Sequence, residues 1–132
     1  MANWNATVMG GDTPLDIEGN LLVDVCGIAF DDYIDMPIAS FRDTFNIRLP
    51  TMVEYIDRME VDNDDERNIA YQVLGVLLMR AGSDFPESIK ALVVNAANKD
   101  KWAFEGDEAR INSMSDLVNM VLNYKNGEPI EI

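Results

Sequence analysis

The chain has 132 residues, 48% of them hydrophobic, which is the length and apolar content of one domain built on one core. Its 24 acidic against 10 basic side chains leave a formal net charge of −14, and such a surface repels nucleic acid and anionic lipid, both of which are bound through clustered Lys and Arg. With no histidine and a single cysteine, schemes that need Ser-His-Asp, Cys-His, His-ligated zinc or an intrachain disulfide are excluded.

The first predicted element begins in "GDTPLD", where Thr13 serves as N-cap, Pro14 takes the first helical position and Asp16 falls three residues after the cap. The spacing predicts a helix over 14–26 with Ile17, Leu21, Leu22, Val25 and Ile28 inward, Gly27 as its stop, and Asp16, Asn20 and Asp24 on the solvated face. After "FDDYIDMP" a short helix is expected over 37–45, and after "NIRLP" another over 50–60, each announced by a proline. Met52, Val53, Ile56 and Met59 give the second one its apolar stripe.

The acidic segment "VDNDDERN" breaks the apolar pattern, and Asp64 or Asp65 caps a helix over 65–81. From Ile69 to Met79 its one clearly polar residue is Gln72, so this helix is expected at the centre of the core, with Gly75 as a point of close approach. "SDFPE" opens a helix that reaches Asn98, with Ile89, Leu92, Val93 and Ala96 inward. "NKDKWAFEGD" reads as a turn-rich connection. The last helix, over 107–124, aligns Ile111, Met114, Leu117, Val118, Val121 and Leu122. No alternating run is long enough for a sheet. The sequence therefore predicts an all-α fold, a single domain of five or six helices around the 65–81 helix, with at most a minor extended element at the termini. "VLGVLLM", the longest apolar run, is far short of the ~20 residues of a membrane span, and no secretory leader pattern opens the chain, so a cytoplasmic protein is expected.

Each candidate site has an ordinary reading beside it. "GGDT" lacks the spacing of a phosphate loop and lies among Asp12, Asp16 and Glu18, so it reads as a cap and turn. "DNDDE" fails the calcium-loop template, with Arg67 at the glycine position and Val73 at the bidentate-glutamate position. Asp31 with Asp32, and Glu105 with Asp107 and Glu108, have the chemistry of paired carboxylates, but adjacent residues do not share a helix face. Cys26 reads as a small core residue, and Met52, Met59 and Met114 as packing. Trp4 and Trp102 each lie in a polar setting, as lids on the core or as exposed interface anchors.

Charge distribution carries more information. No Lys or Arg precedes Arg42, whereas seven acids do (Asp12, Asp16, Glu18, Asp24, Asp31, Asp32 and Asp35), and from Glu54 to Glu66 seven acids face Arg58 alone. Self-repulsion on this scale destabilises a small domain, which points to solubility under crowding, to halophilic adaptation or to a positively charged partner. The sharpest expectation is a binding module without catalytic residues or cofactor. It would present Asp12, Asp16, Asp24, Asp31, Asp32, Asp62, Asp64, Asp65 and Glu66, with Trp4 as an anchor, to a basic and nucleic-acid-binding protein partner, and inhibit it as a nucleic-acid mimic. Two rivals come from other classes: a carboxylate-dependent metal enzyme whose ligands lie on separate helices, and a structural, oligomerising subunit.

Trp4 followed by "GGDTPLD", with Gly11, Asp12, Leu15 and Asp16, resembles the opening of a family of small uncharacterised bacterial and bacteriophage domains that start with Trp and then Gly-x-Asp-x-x-Leu-Asp. The resemblance brings no catalytic residues. It implies a setting in which small acidic proteins serve as inhibitors, antitoxins or immunity proteins, here as a phage-encoded antagonist of a host defence.

Overall fold

A computed structural model describes residues 8–9, 12–59 and 64–130, the side chains of Asp12 and Asp64 excepted. The fold is all-α, and no strand forms among the described residues, the C-terminal tail included. Its centre is α4 (Asp64–Ala81), whose residues from Ala70 to Met79 are all buried. Against it lie α1 (Asp12–Gly19), α3 (Arg42–Asp57) and α5 (Glu87–Asn98), and α7 (Glu108–Asn123) closes the far side of α5. Gly75 sets the α4–α5 distance. A Cβ there would stand 2.8 Å from Cγ1 of the buried Val93, so the close approach expected at this glycine is made by α5.

Three predicted boundaries change, each for a physical reason. The first helix begins at Asp12, which puts Thr13 inside its first turn and the capping position outside the described residues. It then widens into a π-helix over Asn20–Val25, with Cys26 N–H bonding the Leu21 carbonyl. Cys26 is buried, as expected of a small core residue, Val25 packs half-buried against the core, and the consecutive Leu21 and Leu22 are both fully buried. Gly27, at φ 71°, ends the segment as expected.

The two short helices expected over 37–45 and 50–60 are one. A 3₁₀ turn (Ile38–Phe41) leads directly into α3, which runs through Pro50. Proline removes one backbone hydrogen bond and crowds the preceding turn. The helix persists because Phe45, Leu49, Met52 and Ile56 continue one buried stripe across the proline, which itself faces solvent. "FDDYID" forms α2 (Phe30–Asp35), a helix not expected from the sequence, and "KWAF" within the expected turn forms α6 (Lys101–Phe104). In α7, Met114, Leu117 and Val121 are buried as expected, but Ile111 and Leu122 are exposed, because the stripe facing the core is narrower than the sequence pattern.

The ends of α4 are tied by hydrogen bonds rather than by further helices. At its C-terminus the Arg42 Nε donates to the Ala81 carbonyl at 3.0 Å. The tail returns over the same end, with Ile130 N–H bonding Met79 O and Gly127 N–H bonding Gly82 O. At the start, Arg67 Nη2 donates to Met59 O at 2.8 Å and so holds α3 and α4 together across the acidic connection.

Pro50→Ala is expected to stabilise the protein by about 1–3 kcal/mol, the part of proline's cost inside a helix that an exposed position recovers. Gly75→Val is expected to destabilise it by about 1–3 kcal/mol through overpacking against Val93. Urea unfolding followed by circular dichroism measures both; an unstabilised Pro50→Ala would mean that α3 is already relaxed at that turn.

Candidate functional site

A buried pair of opposite charges lies where α4, α6 and α7 converge. Arg110 is 3% exposed and grips Asp100 with both edges of its guanidinium, Nε to Oδ1 at 3.0 Å and Nη2 to Oδ2 at 2.7 Å. Gln72, the polar residue of the central helix, completes it: its Oε1 accepts from Arg110 Nη2 at 2.9 Å and its Nε2 donates to Asp100 Oδ2 at 3.0 Å. Asp100 Oδ1 also accepts from Ala103 N–H, so the same carboxylate caps α6. Trp102 lies over the guanidinium at 5.1 Å, and its Nε1 donates to Asp107 Oδ2 at 2.7 Å.

Burial alone would raise the Asp100 carboxyl, but hydrogen bonds from Arg110, Gln72 and the Ala103 backbone, with the Arg110 charge, outweigh it and hold the group below the usual carboxylate value. The cluster therefore stabilises the fold fully above the ordinary carboxyl range, and its contribution is lost as pH falls below that range through the lowered value. Its donors and acceptors face one another. It is a structural tie, and Trp102 is part of it, partly buried and partly exposed rather than a free anchor.

Carboxylates at the surface are arranged differently. Asp16, Asp24, Asp31, Asp32, Asp35 and Glu66 are exposed. Two acids counted within the acidic blocks accept tyrosine hydroxyls: Glu18, which is buried, accepts from Tyr33, and Asp57, which is exposed, accepts from Tyr71. Asp65 lies half-buried, its Oδ1 accepting Lys101 N–H at 3.1 Å, so this residue, expected at a partner surface, also caps α6 from across the fold. Trp4 and Asp62 lie outside the described residues, as do the side chains of Asp12 and Asp64.

The fold brings the two acidic blocks together at one place. Asp24, from the π-helix, and Glu54, from α3, line the same open groove, a cavity of about 620 Å³ that also includes Tyr55 and Arg58. Arg58 is engaged there with Glu54 at 2.9 Å, the i,i+4 pair that the sequence suggests. The sequence separates these carboxylates by a whole helix, and the wall they share is a product of packing α3 against the π-helix.

Among the described residues no three or more His, Cys, Asp or Glu side chains converge on a metal-sized position. Cys26 is buried, and burial pushes its thiol up to about 11, with the Arg48 charge opposing weakly, so it is not a thiolate at neutral pH. No described helix is long and apolar enough to cross a membrane. Comparison with family models, curated proteins and solved structures returned no match.

Asp100→Asn is expected to cost about 3–5 kcal/mol, because it leaves the Arg110 charge buried and uncompensated. Adding Arg110→Met to that variant is expected to recover a large part of the loss, since the charge that needed the carboxylate is then gone. Thermal unfolding of the two single variants and the double variant reads the coupling, and strict additivity would show that the pair is not the tie described here.

Proposed function

We propose that this chain is a non-enzymatic acidic module that binds a basic, nucleic-acid-binding protein and inhibits it by occupying the surface its nucleic acid would use. One observation supports the reading above others: five acids of the first block stay exposed, while four of the ten basic side chains are tied to backbone or buried groups. Asp16, Asp24, Asp31, Asp32 and Asp35 project into solvent from a stretch with no Lys or Arg. Meanwhile Arg42, Arg67 and Arg110 hydrogen-bond backbone or buried groups, and Lys90 donates to Tyr124 O at 3.2 Å above two aromatic rings. The exposed surface is thus more one-sidedly negative than the net charge alone implies.

Duplex DNA carries one negative charge per about 1.7 Å of axis, and its affinity for proteins comes largely from such phosphate contacts. A folded surface of fixed carboxylates competes for the same Lys and Arg side chains, and its field steers the encounter. The N-terminal resemblance adds the setting, a bacterial or phage one, and with it the role of an antagonist of a nucleic-acid-binding host defence.

The test uses the immobilised protein and a bacterial lysate at low and high salt, with mass spectrometry of the retained material. A basic nucleic-acid-binding protein is expected to be retained at low salt, released by high salt and displaced by added duplex DNA. Replacing Asp16, Asp24, Asp31 and Asp32 together by Lys, all at exposed positions, is expected to slow association with that protein about tenfold or more. Equal retention by the charge-reversed variant would remove the acidic face from the reading.

A further inference from the structure

Helix α2 buries none of its six residues, so the core does not need the apolar side chains it carries. Phe30 is 60% and Ile34 62% exposed. They stand one turn apart on a single stripe. At about 100° per residue, Asp31 and Asp35 flank that stripe on one side and Tyr33 on the other. Tyr33 is the helix's anchor to the body of the protein: it packs against the core, its hydroxyl donates to Glu18, and the Phe30 ring leans on it with centroids 6.1 Å apart. Beside it a cavity of about 190 Å³ has an apolar wall of Tyr33, Met36, Ile38 and Phe41 and a charged one of Glu18 and the half-buried Arg80, and Met36 is itself exposed.

Single exposed apolar residues are ordinary. Here an aromatic–aliphatic pair at helical spacing, an adjoining cavity and a flank of carboxylates coincide on an element that Tyr33 alone ties to the core, which is the anatomy of an interface anchor with a polar border. The charge decides what covers it. A second copy packed face to face would set Asp31 and Asp35 against their own counterparts, and like charges in an interface cost several kcal/mol. Anionic lipid and nucleic acid are repelled for the same reason. What remains is a surface both apolar and positive.

We propose that α2 is the anchor point for a cationic amphipathic helix of the partner protein, whose apolar face covers Phe30 and Ile34 and reaches the apolar wall of the adjoining cavity while its Lys or Arg side chains meet Asp31 and Asp35. An amphipathic helix presents apolar side chains at three- and four-residue spacing, which matches the one-turn separation of the pair. This inference rests on the acidic-module reading and gives that module a place of specific contact.

Two synthetic peptides of about 18 residues test it, long enough for a helix to form on contact. One has Leu on one face and Lys on the other; the second has the same composition scrambled so that no face forms. Each is titrated by calorimetry and by amide chemical shifts into the full chain and into its Phe30→Ser/Ile34→Ser variant, whose fold is preserved because both side chains are exposed. The amphipathic peptide is expected to bind about tenfold tighter than the scrambled one, with shifts centred on residues 30–38, and the variant is expected to lose that margin while still binding the scrambled peptide. If both peptides bind the unaltered protein equally, or if the variant keeps the margin, the anchor is overturned while the charge-based reading survives. If neither peptide binds at low salt, both fall.

Discussion

The contact between Arg110, Asp100 and Gln72 is the constraint on which the far half of the fold turns. Helices α6 and α7 come from a stretch with few buried apolar residues, and α6 buries none of its four. A helix that short has no stability of its own in water. It exists because Asp100 caps it through Ala103 N–H while the same carboxylate is held by Arg110 from α7 and by Gln72 from α4. Three elements thereby share one ionised acceptor. The arrangement is specific in a way that apolar packing is not, since only one mutual orientation lets the guanidinium fork, the amide and the capped backbone all reach it.

Similar use of hydrogen bonds recurs wherever the helices leave a terminus over the core. Arg42 closes the end of α4, Arg67 bridges from α4 back to the end of α3, and Tyr124 reaches the Ser83 carbonyl at 2.5 Å beneath the Phe85 ring. In a chain with ten basic residues, assigning several to internal ties has an external consequence. The carboxylates of the first block have no Lys or Arg among their sequence neighbours, and fewer basic side chains remain outside to offset them. Stability of the interior and negativity of the surface are therefore outcomes of one distribution of charge, and the self-repulsion of that surface falls on a body cross-linked by its own arginines.

Apolar periodicity made the central helix, α5 and α7 legible, because each carries its stripe across three or more turns. It misjudged the segments where a local rule and the packing disagree. Pro50 looks like a helix start, yet the stripe Phe45, Leu49, Met52, Ile56 runs past it, and burial of four large side chains outweighs one missing hydrogen bond. The π-helix leaves no mark on the apolar pattern, because Cys26 reads as a core residue whether or not the helix widens and Val25 still packs against the core. Gln72 was visible as the polar interruption of a buried run, but its partners, at positions 100 and 110, lie on later elements and have no spacing that a sequence pattern can detect. The same limit applies to the surface: two acidic blocks were evident, whereas the groove in which Asp24 meets Glu54 depends on how α3 crosses the π-helix.

Helix α2 shows how function can be read from what packing leaves unexplained. The longer helices each bury an apolar stripe, although Leu15, Ile47, Ile111 and Leu122 stay exposed on them. In α2 the sequence places Phe30 and Ile34 at the spacing of such a stripe and the fold then turns it outward, keeping Tyr33 to hold the helix in place. Selection for stability alone would favour polar residues at those two positions, since exposed Phe and Ile gain nothing in the monomer and promote association. Carboxylates around them limit association with like-charged surfaces, a second copy included, and leave open association with a cationic one. The pair and its acidic rim are thus complementary halves of one selectivity, in which apolar contact supplies affinity and charge decides to whom it is offered.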